Sequence, residues 1–276
     1  MLATLLSAQD LPQPSPSATV IQRVGLTDFT VKYSRPAAKD RKVFGELVPY
    51  GQLWRTGANI NSTITFNTPV TIMDQVVEPG SYSIFTIPSD GEWVVILNSG
   101  TKYWGTGDFD EKKNVATFNI GSTETKFVET LTIGFDKVVG DNAELYIAWE
   151  NTMVSLPLAV ETQKQAIANI EQALADAQGD DKKGVYRNAA NYYYNQKIDA
   201  EKALEYINLA VEGNTTNWYT FWLRAEILAE NGNYKEAIKS AEKSKRMGKE
   251  AAKEGGKSFA YAAMIDQGIA TWKKAK

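Results

Sequence analysis

From Thr19 to about Leu158 apolar and polar positions alternate with a period of two in short runs. Candidate strands are "TVIQRVG", "DFTVKYS", "STITFN", "PVTIMDQVV", "GSYSIFTIP", "EWVVILN", "NVATFNIG", "VETLTIGFDKV", "AELYIAWE" and "TMVSLPL". A strand turns successive side chains to opposite faces, so this period marks half-buried strands. Turn formers such as "EPG", "PSDG" and "VGDN" separate most of them, and about ten strands at this spacing predict an antiparallel β-sandwich. In "VEPGSYSIFTIP", Pro79 and Gly80 make the turn; Tyr82, Ile84 and Thr86 then share one face, and Ser81, Ser83 and Phe85 the other.

Past Leu158 the apolar residues recur every three or four positions among Ala, Glu, Lys and Leu, which predicts helices. "AEKALEYINLAVEGNT" and "YKEAIKSAEKSKRMG" align at an offset of 34 residues, with Ala203 over Ala237, Leu204 over Ile238 and Ala210 over Ser244. That offset is the period of tetratricopeptide repeats, and Phe221, Ala225, Leu228, Gly232, Tyr234 and Ala237 fall at the packing positions of such a unit. Flanking helices are predicted over Thr162–Gln178 and Lys257–Lys273, with "GDDKKG" and "KEGG" as loops. The predicted organisation is a residual signal or flexible terminus over residues 1–16, a β-sandwich over 17–159 and tetratricopeptide-like hairpins over 160–276.

Composition narrows the chemistry. A chain that is 43% hydrophobic and 11% aromatic builds a sizeable core. It contains no histidine and no cysteine. Ser-His-Asp hydrolysis, cysteine nucleophiles, thiolate zinc sites and disulfides are thereby excluded, leaving carboxylate, lysine or serine chemistry and plain binding. A net charge of −3 gives no reason to expect nucleic acid. The start, "MLATLLSAQD", is a short apolar run ahead of "LPQPSPSA" and reads as the tail of a secretory signal with cleavage near Ala8, hence a periplasmic or envelope setting. A frayed apolar terminus is the alternative. No other segment approaches the roughly 20 apolar residues of a transmembrane helix.

The run "YSRPAAKDRKVFGELVPYGQLWRTGAN", followed by "STITF", "PGSYSIFTIP" and "WVVILN", resembles the bacterial family known as domain of unknown function 2911. The resemblance covers roughly Ser17 to Val160. It implies an exported Gram-negative protein, in a family that sometimes carries C-terminal helical repeats, and it implies no activity.

Charge supplies the candidate site. Lys32, Arg35, Lys39, Arg41, Lys42 and Arg55 face only Asp40 and Glu46 in their window, although the β half as a whole is acidic. The predicted ligand-binding set is Arg35, Arg41, Tyr50, Trp54, Arg55 and Asn59: arginines for a carboxylate or phosphate, aromatics for stacking on a planar body, and an amide. Gly51 and Gly57 mark tight turns in this stretch. The bland reading is that the arginines pair with acids on neighbouring strands and Trp54 plugs the end of the core.

"YWGTGDFDEKKN" offers Asp108, Asp110 and Glu111 to a cation, but the spacing matches no calcium loop and a solvated loop is favoured. No metal or cofactor is called for. Asp90, Glu92 and Glu46 are the acids open to a paired-carboxylate mechanism. The leading expectation is a non-enzymatic module that binds an anionic small molecule or glycan on the sandwich, with a peptide or protein at the helices. A carbohydrate-active enzyme using Asp and Glu is the alternative. Tyr192, Tyr193, Tyr194, Trp218, Tyr219 and Trp222 either line a helical groove or pack.

Overall fold

The computed structural model describes residues 11–213 and 217–275, so the candidate cleavage region near Ala8 lies outside the described residues. The chain divides into two compact units between Gln165 and Ala166. In the first unit the strands are β1 (Ser17–Val24), β2 (Thr27–Ser34), β3 (Thr63–Phe66), β4 (Val70–Ile72), β5 (Gln75–Val77), β6 (Gly80–Ile87), β7 (Glu92–Asn98), β8 (Asn114–Gly121), β9 (Thr123–Val139) and β10 (Asn142–Val160). They form a six-stranded sheet, β1-β2-β3-β6-β7-β8, and a four-stranded sheet, β5-β4-β10-β9, every pairing antiparallel.

Alternation gives each sheet one apolar face, and the two faces bury each other in a single core. Phe29, Val31, Ile64, Phe66, Ile84, Trp93 and Val95 come from the larger sheet, and Ile72, Leu131, Ile133, Leu145, Ile147 and Leu156 from the smaller. The outer face of β6 and β7 is covered as well: Phe85 packs on Tyr103 at 5.6 Å and on Phe109 at 4.9 Å, with Ile96 and Leu53 alongside. A second layer therefore covers the face that carries Ser81, Ser83 and Phe85.

Three predicted strands take a different form. "PVTIMDQVV" is a hairpin, β4 and β5, because Met73 takes a positive φ of 56° and turns the chain with Asp74. Conversely, "AELYIAWE" and "TMVSLPL" are one strand, β10, whose register on β9 slips on both sides of Glu150, itself at φ 53°. A bulge of this kind shifts the two-residue period without ending the strand.

The second unit holds α2 (Gly179–Asn195), α3 (Ala200–Ala210), α4 (Trp218–Glu230), α5 (Tyr234–Glu254) and α6 (Ala262–Ala275), together with most of α1 (Thr162–Asp176). Here α2 packs on α3, α4 on α5 and α5 on α6. Residues aligned by the 34-residue offset occupy matching places: Ala203 and Ala237 are fully buried, as are Ala210 and Ser244, whose small side chains allow close helix approach. "GDDKKG" is not a loop; it is the first turns of α2, where Asp180 and Asp181 sit at the positive end of the helix dipole.

The segment between β2 and β3 belongs to the core and is not a surface excursion. Phe44 is buried and meets the rings of Trp93 at 4.8 Å, Trp54 at 6.0 Å and Trp149 at 6.2 Å, all edge-on. Phe44→Ala is expected to cost about 3–5 kcal/mol in urea-induced unfolding of the β unit. A loss below roughly 1 kcal/mol would mean that this segment is a detachable loop.

Candidate functional site

The chain leaves β2 and adds itself to the open edge of β9: Ala38 N donates to Glu129 O at 2.8 Å and Leu131 N to Pro36 O at 2.9 Å. It then returns to the other sheet. β3 covers β6 only as far as Ser83, and Trp54 takes over the exposed ladder, with Trp54 N donating to Thr86 O at 2.7 Å and Thr86 N to Trp54 O at 2.9 Å. Gly51 N reaches Pro88 O at 2.8 Å. A single paired residue is too short for a strand pattern, which is why "VPYGQLWRTGAN" shows none.

Trp54 is only 8% exposed. Its indole stacks on Trp149 at 5.9 Å and donates Nε1 to Gly57 O at 3.1 Å. Gly57 is required by close packing, since a Cβ there would stand 2.9 Å from Ser62 Oγ and 3.2 Å from Ser34 O. Thr56, at φ 55°, is fully buried and its hydroxyl shares a 3.1 Å hydrogen bond with that of Thr86.

Between the strip tied to β9 and the strip tied to β6 lies a cleft of about 430 Å³, with Trp54 and Trp149 among its lining residues. Pro36, Leu47, Pro49, Leu53 and Ala58 contribute apolar wall, and Lys39, Arg41 and Arg55 bring three cations; none of the lining residues is acidic. Among the described residues the Arg55 guanidinium makes no hydrogen bond or ion pair, and its Nε is buried without a partner. Lys39, Asp40, Thr56, Asn59 and Glu150, in or beside this crossing, all hold positive φ. Backbone strain of this sort persists only where surrounding contacts enforce it, and it gathers at functional sites.

Three of the six predicted residues, Arg41, Trp54 and Arg55, line the cleft. Arg35 does not: Nε donates to Leu131 O at 3.0 Å and Nη2 to Thr132 Oγ1 at 2.9 Å, so it clamps β2 to β9. Asn59 gives its amide to Ser15 O at 3.1 Å and Ser34 Oγ at 3.3 Å, fastening the N-terminal strip whose Pro14 and Ser15 also border the cleft. Tyr50 is 41% exposed and covers Gly45, where a Cβ would lie 2.9 Å from its ring. Partial burial raises its phenol pKa, with the carboxylates of Asp90 and Glu150 adding to the effect. Lys39 and Trp149 complete the cleft. Lys39 belongs to the basic window, whereas Trp149 lies in a distant strand and carries no local signal.

A family model described as "Protein of unknown function (DUF2911)" matches residues 15–158. The chain belongs to this family. No curated protein and no solved structure matches the chain.

Elsewhere in this DUF2911 member, the acid candidate Asp110 has structural partners. Asp110 caps the turn Glu111–Lys113 by accepting from Lys112 N at 3.1 Å and lies 3.7 Å from Lys113 Nζ. Among the described residues no group of three acids is placed to hold a metal ion, and no helix is long and apolar enough to cross a membrane. In the helical unit, Tyr193 and Trp222 are buried, and Trp218 packs on Phe259 and Tyr261 at 4.9 Å each. Tyr219 is exposed and donates to Asn191 Oδ1 at 3.4 Å.

Among the described residues of that unit, Glu226 of α4 is the strongly perturbed acid. Burial pushes its carboxyl up to about 7, against the opposing hydrogen bond from the Trp222 indole. Burial also lifts the nearby Tyr194 phenol to about 12, helped by Glu226 and Glu230. Between pH 4.5 and about 7 the folded state holds a proton on Glu226 that the unfolded chain has released, so stability falls as pH rises through that window and levels off above it. Glu226→Gln should therefore raise the unfolding free energy at pH 8 by roughly 1–2 kcal/mol after allowing for solvent access, with a matching rise in Tm, and leave both nearly unchanged at pH 4. Thermal melts at the two pH values check this; an equal effect at both would remove ionisation as the cause.

Proposed function

We propose that the β unit is a non-enzymatic binding module that takes an anionic ligand in the cleft between residues 36–41 and 47–58. The observation that carries this reading is the unpaired Arg55 guanidinium, set beside Lys39 and Arg41 on a wall that contains no acid. Leaving a cation partly desolvated and unpaired costs free energy, and an incoming anion removes that cost. The carbohydrate-active alternative needs two carboxylates facing one space, and no Asp or Glu lines this one.

The helical unit is, on this reading, a short tetratricopeptide-like scaffold for a peptide or protein, supported by the matched buried positions at the 34-residue offset. An envelope location accords with the apolar start of the chain.

Arg55→Ala tests the central point. Because the side chain has no hydrogen-bond or ion-pair partner among the described residues, its removal should change unfolding free energy by less than about 1 kcal/mol. Wild-type Tm should rise at low ionic strength when anions are added across a set of inorganic phosphate, acidic sugars and carboxylic acids, and the rise should vanish in Arg55→Ala. A loss on the order of 3–5 kcal/mol with no anion response in the wild type would make Arg55 a structural ion-pair partner instead.

A further inference from the structure

We propose that the ligand of the cleft is a small carboxylate carried on an apolar body, in preference to a phosphate or sulfate. This rests on the cleft being an anion site and adds its chemistry from three features.

The first is the donor set. Arg41 commits Nε to Ala38 O and Nη2 to Ala37 O, both at 2.8 Å, so half of its fork is spent holding the chain. Lys39 is exposed and supplies a point charge at the rim. Arg55 spends none of its donors on a partner among the described residues; its Nε is buried, and the two parallel N–H donors of its Nη pair match the two coplanar oxygens of a carboxylate.

The second is what the backbone withholds. Phosphate sites surround three oxygens with amides from a helix N-terminus or a run of free N–H groups. Here Pro14, Pro36 and Pro49 have no N–H to give. The amides of Ala38, Lys39, Arg41, Val48 and Trp54 are already donated, to Glu129 O, Glu129 Oε1, Ala38 O, Val43 O and Thr86 O respectively. Those five amides are thus spent within the protein, and the cationic groups of the cleft are side chains.

The third is the apolar surface. A space of about 430 Å³ bordered by Leu47, Leu53, Pro36 and the paired indoles falls within the range of sites for small organic molecules. A bare inorganic anion leaves that wall wet. A ring or short chain attached to the carboxylate covers it and adds the burial term that charge alone does not supply.

Isothermal titration of the full chain at low ionic strength separates the possibilities, with phenylacetate, indole-3-acetate and octanoate against acetate, phenylacetamide and inorganic phosphate. At least one of the three larger carboxylates should bind no less than about 10-fold tighter than acetate. For phenylacetamide, with the charge removed, binding should be roughly 10- to 100-fold weaker than for phenylacetate. Arg55→Lys, which keeps the charge and loses the fork, should weaken the carboxylates about 10-fold. Should that variant melt early, Lys39→Gln at the exposed rim is expected to weaken them a few-fold with an unchanged melt. Phosphate binding through Arg55 more tightly than any carboxylate would overturn the carboxylate assignment while leaving the anion site standing. Phenylacetamide binding as well as phenylacetate would overturn charge recognition. No anion binding at all would remove both this inference and the site on which it rests.

Discussion

The two-way main-chain pairing between Trp54 and Thr86 is the constraint on which the architecture of the β unit turns. β3 ends too early to cover β6, and an uncovered stretch of a central strand leaves buried amides and carbonyls without partners. Trp54 supplies the missing pair and at the same time drops its indole onto Trp149 of the opposite sheet. One residue thereby completes a ladder in one sheet and packs against the other. The strip from Pro36 to Ala38 does the equivalent at the edge of β9. With both strips fixed, the space between them persists as a cleft, and Arg55 stays beside it because Trp54 and the buried Thr56 hold its flanks.

The same arrangement explains the concentration of positive φ angles. Lys39, Asp40, Thr56 and Asn59 turn a chain that must change sheets twice within a short span, and Glu150 bends β10 where its carboxylate accepts from Val43 N at 3.2 Å. Folding energy from Phe44 and the two indoles sustains these conformations. The cleft is in that sense a by-product of core packing, and its unpaired cation is not required by the packing.

Most of the strands were legible in the sequence, because one buried face imposes a period of two wherever a strand runs undisturbed. β1, β2 and β8 follow it. The pattern misleads where the backbone departs from the pleat: Met73 folds one apparent strand into a hairpin, and Glu150 bulges a single strand into two apparent ones. The site was half legible. The basic window and the aromatic–glycine run pointed to Arg41, Trp54 and Arg55, which meet in the cleft. Nothing local distinguishes Arg55 from Arg35, whose guanidinium is consumed by Leu131 and Thr132, nearly a hundred positions away. Trp149 was invisible as a site residue for the same reason. Long-range partners decide which arginine is free, and a single sequence does not carry them.

The state of the Arg55 guanidinium is what the account depends on, and nuclear magnetic resonance of arginine side-chain Nε–Hε groups reads it directly. On addition of phenylacetate at low ionic strength the Arg55 Hε resonance should move downfield in a saturating manner, while that of Arg35, held on Leu131 O, stays in place. An Arg55 signal that ignores every carboxylate, or that already shows a hydrogen-bond coupling to a protein carboxylate in the free chain, would contradict the account.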